Sequence, residues 1–187
     1  MKPLILVKHS LPLIVETRPA REWTLSEIGR ERARKLAEIL RPYGSEFIAS
    51  STESKAVETA SIVGEALSLQ FHTALGLHEH DRSSSPYYSA DEFHALIQKF
   101  FDQKDILVFG SETASEALAR FRSAVEVILD IHKDTAVVIV SHGTVISLFV
   151  SWLTGCDGYS MWRELGLPSF VVLDMSTRTL LKTENLA

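Results

Sequence analysis

The chain has little of several things, and each scarcity excludes a class of protein. Its 187 residues include one cysteine, Cys156, so no internal disulfide framework is available and a reducing compartment fits. No apolar stretch approaches the ~20 residues of a membrane-spanning helix. The apolar run ahead of Lys8 is too short for a signal peptide, so a cytoplasmic protein without membrane contact is expected. Nineteen Lys and Arg against 24 Asp and Glu leave a net charge of −5, which offers no basic footprint for nucleic acid. Internal repeats, low-complexity tracts and a clear domain boundary are missing too. What remains is an ordinary 45% apolar chain, expected to form a single domain over residues 1–187.

Within that frame two histidines stand out. Leu4-Ile5-Leu6-Val7 leads into Lys8-His9-Ser10, and Ala136-Val137-Val138-Ile139-Val140 leads into Ser141-His142-Gly143. Both runs are short and aliphatic, as in strands buried on both faces of a parallel sheet. Open α/β sheets present ligand chemistry at the carboxyl ends of their strands. One histidine after one strand is commonly a capping or loop residue. Two in matched contexts point to a two-histidine site.

Strands and helices alternate along the rest of the chain. Thr24-Leu25-Ser26-Glu27 reads as a capping box with Thr24 as N-cap, opening a helix with Ile28, Ala33, Leu36, Ala37 and Leu40 at core spacing. A strand at Phe47–Ser50, a helix at Ser54–Leu67 and a short strand at Leu69–Thr73 follow. Residues 76–88 lose periodicity, are dense in titratable groups and hold the turn-forming Ser83-Ser84-Ser85-Pro86. A substrate or lid segment is expected around 76–110. Ser89 with Glu92, and Thr113 with Glu116, form further capping boxes that open helices to about Phe101 and His132. The strand before His142 comes next, then an apolar helix at Thr144–Leu153, a helix-ending turn at 154–158 around Cys156, and strands at Ser169–Asp174 and Thr179–Thr183. The expected architecture is an α/β three-layer sandwich, a mostly parallel sheet flanked by helices on both faces.

Four segments in this order resemble the histidine phosphatase superfamily, the phosphoglycerate-mutase-like proteins: Lys8-His9-Ser10, the stretch Ser50-Ser51 through Lys55-Ala56 to Thr59-Ala60, Glu79 in mid-chain, and Ser141-His142-Gly143. Leu25-Ser26-Glu27-Ile28-Gly29-Arg30 and Gly110-Ser111-Glu112 are similar to two further family segments. The resemblance implies a phosphoglycerate mutase-like fold and a site in which His9 attacks phosphorus, His142 stabilises the transferring oxygens, and Glu79 protonates the leaving oxygen. Lys8, Lys55, Ser10 and Arg82 would bind phosphate. The chemistry suits the residues: a transferring phosphoryl group spreads charge over three oxygens, so catalysis is mostly positioning and electrostatics, and imidazole is a competent nucleophile near neutrality. Side-chain cations make a metal or other cofactor unnecessary. The expected partner is a small phosphomonoester.

The departures are specific. Lys8 and Lys55 stand where the family has arginine, replacing a planar fork by a flexible point charge. Arg82 is the candidate to restore a fork, with Arg18 and Arg21 poorer ones. Ser10 stands where the family has glycine. Asp81 competes with Glu79 as the acid. Hydrolysis is favoured over mutase-type transfer because the chain is short and ends soon after its last expected strand. A second reading is a metal hydrolase built on His78 and His80, with Asp81 and another histidine completing the site, although no third ligand sits at a recognisable spacing. A third is a non-catalytic phosphate-ligand or protein-binding module, supported only by the two lysines. The leaving group would be read by the loops at 11–21 and 77–88, with Trp23, Tyr87 and Tyr88.

Overall fold

In the computed structural model, which describes residues 2–83, 85–86 and 88–186, the chain runs β1 (Leu4–Lys8), α1 (Glu27–Leu40), β2 (Ser45–Ser50), α2 (Ser54–Leu67), β3 (Phe71–Thr73), α3 (Ala90–Asp102), α4 (Ala114–Ile131), β4 (Ala136–Ser141), α5 (Gly143–Thr154), α6 (Gly158–Glu164), β5 (Ser169–Asp174) and β6 (Thr179–Asn185). The strands form one six-stranded sheet in the order β3-β2-β4-β1-β5-β6. The pairings from β3 through β1 are parallel, while β1–β5 and β5–β6 are antiparallel. The mostly parallel three-layer reading holds.

The unbroken apolar runs of β1 and β4 follow from cover on both faces. Side chains alternate along a strand, so Ile5, Val7, Val138 and Val140 turn toward Leu36, Leu40, Ala60 and Val63 of α1 and α2. Leu4, Leu6, Val137 and Ile139 turn the other way, into a cluster with Phe100, Phe121 and Phe149 from α3, α4 and α5. The wider consequence is placement. β1 and β4 are far apart in sequence but adjacent at the sheet centre, with Lys8 opposite Ser141.

Some local expectations are corrected. The N-cap of α1 is Ser26, whose side chain accepts from the Gly29 amide, and not Thr24. Ile28 is 55% exposed. The buried stripe is Gly29, Ala33, Leu36, Ala37 and Leu40, and Ile28 lies about 100° of helical rotation off it. Gly29 belongs to that stripe because a Cβ there would collide with the Leu11 carbonyl. The other two capping boxes form as read. The helix-ending turn at Gly155 is present, with φ of 78°. The chain then starts α6, capped by the Asp157 carboxylate, a helix the sequence reading lacked. β3 is shorter and β6 longer than expected. Ser84 and Tyr87 lie outside the described residues. Among the described residues no helix is long and apolar enough to cross a membrane.

Candidate active site

Because β1 and β4 are parallel neighbours, His9 and His142 leave the sheet at the same carboxyl edge. Their ring centroids are 5.1 Å apart with 62° between planes. The His9 amide donates to the Ser141 carbonyl at 2.9 Å, extending the pairing into the site. His9 is 7% exposed and His142 fully buried.

The surroundings fix what each imidazole can do. His9 Nδ1 lies 2.8 Å from the Ser10 carbonyl oxygen. A carbonyl only accepts, so Nδ1 carries the proton and Nε2 keeps its lone pair. Burial, then the charges of His142 and Lys55, push the His9 pKa well below its ordinary 6.5. Burial likewise lowers His142 to about 4, although Glu53 and Glu79 pull the other way. Both rings are therefore neutral at neutral pH. His142 Nε2 lies 2.8 Å from Ser51 Oγ, and its Nδ1 is buried with no hydrogen-bond partner among the described residues.

Glu79 reaches this edge from the irregular segment after β3. Its carboxylate accepts from the His80 amide at 2.9 Å and from the Thr144 amide, in the first turn of α5, at 3.2 Å. Burial pushes its pKa up, but Arg82 and His142 outweigh burial and hold it near 2. Asp81 is turned away: its carboxylate accepts the Ser83 amide and hydroxyl at 2.9 and 2.6 Å and closes its own turn.

The cations are engaged by the protein itself. Lys8 Nζ donates to the Leu165 carbonyl at 2.7 Å, and its stem crosses Gly143, where a Cβ would come within 3.1 Å of it. Burial lowers the Lys8 pKa, and Glu79 opposes the shift. Lys55 Nζ donates to the Ala20 carbonyl at 2.8 Å and to Glu53 at 2.6 Å. The Arg82 guanidinium lies 4.8 Å over the Phe93 ring, and its charge is felt at both Glu79 and His142. Ser10 faces the scaffold, its hydroxyl donating to the Gly29 carbonyl at 2.7 Å and its amide to Thr59 Oγ1 at 3.0 Å. Arg18 and Arg21 are exposed in the first loop.

One residue of the site was missed in the sequence reading. Glu53, at the N-cap of α2, accepts from Lys55 Nζ through one oxygen and from the Glu79 amide, at 2.8 Å, through the other. The second oxygen also lies 3.6 Å from His142 Nε2. Burial raises its pKa, but His142 and Lys55 more than offset this and hold it near 2. The available signal was an acid two residues before a candidate phosphate lysine, at a helix start. The His78/His80 alternative is not assembled: His80 is buried with its ring 4.2 and 4.7 Å from those of Phe100 and Phe109, and its Nε2 meets the Glu112 carbonyl at 3.1 Å. Among the described residues no group of three or more His, Cys, Asp or Glu is arranged to hold a metal ion.

Comparison with known proteins adds a family. The histidine phosphatase superfamily (branch 1) model matches residues 13–182, a span that begins just after His9. Among solved structures, a mutant phosphoserine phosphatase from Entamoeba histolytica in complex with phosphoserine has a TM-score of 0.80 at 16% identity, covering 100% of this chain and 98% of that one. A mycobacterial glucosyl-3-phosphoglycerate phosphatase has a TM-score of 0.75 at 21% identity, covering 91% and 89%. Bacillus stearothermophilus YhfR has a TM-score of 0.74 at 24% identity, covering 95% and 93%. At these identities the likeness is one of fold. No curated protein matches the chain significantly.

Proposed function

The chain belongs to the histidine phosphatase superfamily, and from that premise we propose that it hydrolyses a small phosphomonoester through a phosphohistidine on His9, without a metal. The observation that carries the reading is the His9–His142 pair, 5.1 Å apart, with His9 Nδ1 tied to the Ser10 carbonyl and Nε2 left as the nucleophile.

In the first half-reaction His9 Nε2 bonds to phosphorus as the ester P–O bond breaks, and Glu79 gives the leaving oxygen its proton. In the second, Glu79 takes a proton from water, the water oxygen bonds to phosphorus, and the P–N bond breaks to release phosphate and restore His9. Glu79 is ionised in the empty site, near 2. A phosphoryl dianion placed beside it raises its proton affinity by like-charge repulsion, so protonation accompanies substrate binding. Of the two candidate acids, Glu79 faces the histidines through its bond to Thr144, whereas Asp81 caps its own turn. Phosphate binding falls to His142, Lys8, Lys55 and Arg82. The Ser10 side chain supports the loop behind His9. The segment 76–110 supplies the acid and the substrate walls. The phosphoserine and glucosyl-3-phosphoglycerate named for the similar structures support a small, charged phosphomonoester as the substrate class.

One observation favours a second reading, a phosphate-ligand-binding member with weak or no turnover: both lysine ammoniums already have protein acceptors. Hydrolysis of an aryl phosphate by wild type and His9→Ala, each with and without EDTA, separates the readings. EDTA-resistant turnover lost in His9→Ala supports the hydrolase. Vanadate binding without turnover supports the binding protein, and EDTA-sensitive turnover contradicts both.

A further inference from the structure

Glu79 sits on a segment without regular secondary structure, between β3 and α3. An acid that must meet a leaving oxygen needs its backbone held from somewhere else. We propose that Arg120, on α4, is the positioning residue for Glu79, acting together with Glu112. This role rests on the assignment of Glu79 as the proton donor.

The guanidinium has five N–H donors in a rigid plane, and all five are directed at this segment or at Glu112. Nη1 donates to the carbonyls of Gly76 at 2.8 Å and His78 at 2.9 Å. Nη2 donates to the Glu79 carbonyl at 3.3 Å and to Glu112 Oε1 at 2.5 Å, and Nε donates to Glu112 Oε2 at 3.2 Å. Glu112 passes the restraint on. Its Oε1 also accepts the Asp81 amide at 3.0 Å, and its backbone carbonyl meets His80 Nε2 at 3.1 Å. The Ser111 amide adds a bond to the Asp81 carbonyl at 2.9 Å. Residues on both sides of Glu79 are thereby fixed to the 110–112 turn and to α4. The pair is largely shielded, with side chains 20% and 16% exposed, so its bonds are weakened little by water. Lysine at 120 would keep the charge but has no planar fork with which to reach separate carbonyls.

The role predicts a leaving-group effect that a merely structural residue would not produce. A nitrophenolate departs readily without a proton, whereas a poorer leaving group such as phenolate needs the acid. In Arg120→Lys, kcat/KM, which reports the phosphorylation half-reaction, should fall about tenfold or more for phenyl phosphate and less than about threefold for para-nitrophenyl phosphate. Vanadate inhibition should stay within about twofold of wild type, since Arg120 touches neither His9 nor His142. Glu79→Gln is the control and should show the same selectivity in kcat/KM, while its kcat falls for both substrates because hydrolysis of the shared phosphohistidine needs the base. Glu112→Gln should repeat it more weakly, and carries the test if Arg120→Lys fails to fold. A selective Glu79→Gln beside an Arg120→Lys whose kcat/KM falls equally for both substrates, or for neither, overturns the role of Arg120 alone. A Glu79→Gln whose kcat/KM falls equally for both substrates withdraws Glu79 as the acid, and this role with it.

Discussion

Glu53 and Lys55, two residues apart at the start of α2, form an ion pair of 2.6 Å with both side chains nearly buried. A carboxylate of the protein thus sits against a cation that the proposed chemistry assigns to phosphate, and lies 3.6 Å from His142. Exposed pairs of this kind contribute little, but a shielded pair keeps most of its interaction. On the proposed chemistry, Lys55 exchanges one anion for another when substrate enters.

Glu53→Gln removes the competing charge while keeping an oxygen for the Glu79 amide. Vanadate and phosphate should then bind tighter, by about three- to tenfold, in line with an effect near 1 kcal/mol for a partly shielded pair. Inhibition constants measure this directly. Weaker binding in Glu53→Gln would mean that Glu53 orients Lys55 toward the ligand instead of competing for it.

The buried histidines set an acid limit on stability. His142 stays neutral in the folded chain down to about pH 4 but takes up a proton near 6.5 when unfolded. Through that window the unfolded state binds the extra proton, so stability falls as the pH drops, by on the order of 3 kcal/mol from this group. His9 acts in the same direction. Denaturant unfolding between pH 7 and pH 4 should show the slope, and His142→Asn should make it shallower. Proton NMR of the two rings should show no titration near pH 6.5. An ordinary midpoint for either ring contradicts the buried neutral pair.

Gly29 lets the chain after His9 pass close to α1, since the Leu11 carbonyl occupies the space a Cβ would take. That carbonyl also accepts the Ser26 amide at 3.0 Å, and the Gly29 carbonyl accepts the Ser10 hydroxyl. Gly29→Ala should cost about 1–3 kcal/mol, the range for overpacking, and should lower turnover by displacing the His9 loop. Thermal unfolding together with kcat checks both effects. An unchanged kcat would show that the loop relaxes without moving His9.

The two histidines were legible because a strand covered on both faces must be apolar throughout, and the residue that ends such a run stands out. Their matched contexts point to one site, but that β1 and β4 are direct neighbours is not legible, since the pairing joins distant parts of the chain. The motif resemblance adds Glu79 and the two lysines to the pair. Glu53 was hidden for a local reason: an acid at a helix start is ordinary there on electrostatic grounds. Arg120 was hidden for a tertiary one, as a lone arginine on an amphipathic helix reads as part of the solvated face until the carbonyls of 76–79 are seen beneath it. The misread face of α1 has a related cause. Ile28 is apolar yet exposed, whereas the buried position next to it is a glycine whose missing side chain leaves room for the Leu11 carbonyl.

The central claim is covalent, so the most direct measurement is to trap the covalent species. Wild-type protein mixed with an aryl phosphate and quenched in base should carry a base-stable, acid-labile phosphoryl group on the peptide containing His9. In Glu79→Gln that species should accumulate, because its hydrolysis needs the base, and in His9→Ala it should be absent. Turnover with no phosphoryl group on His9, or near-normal turnover in His9→Ala, would contradict the account.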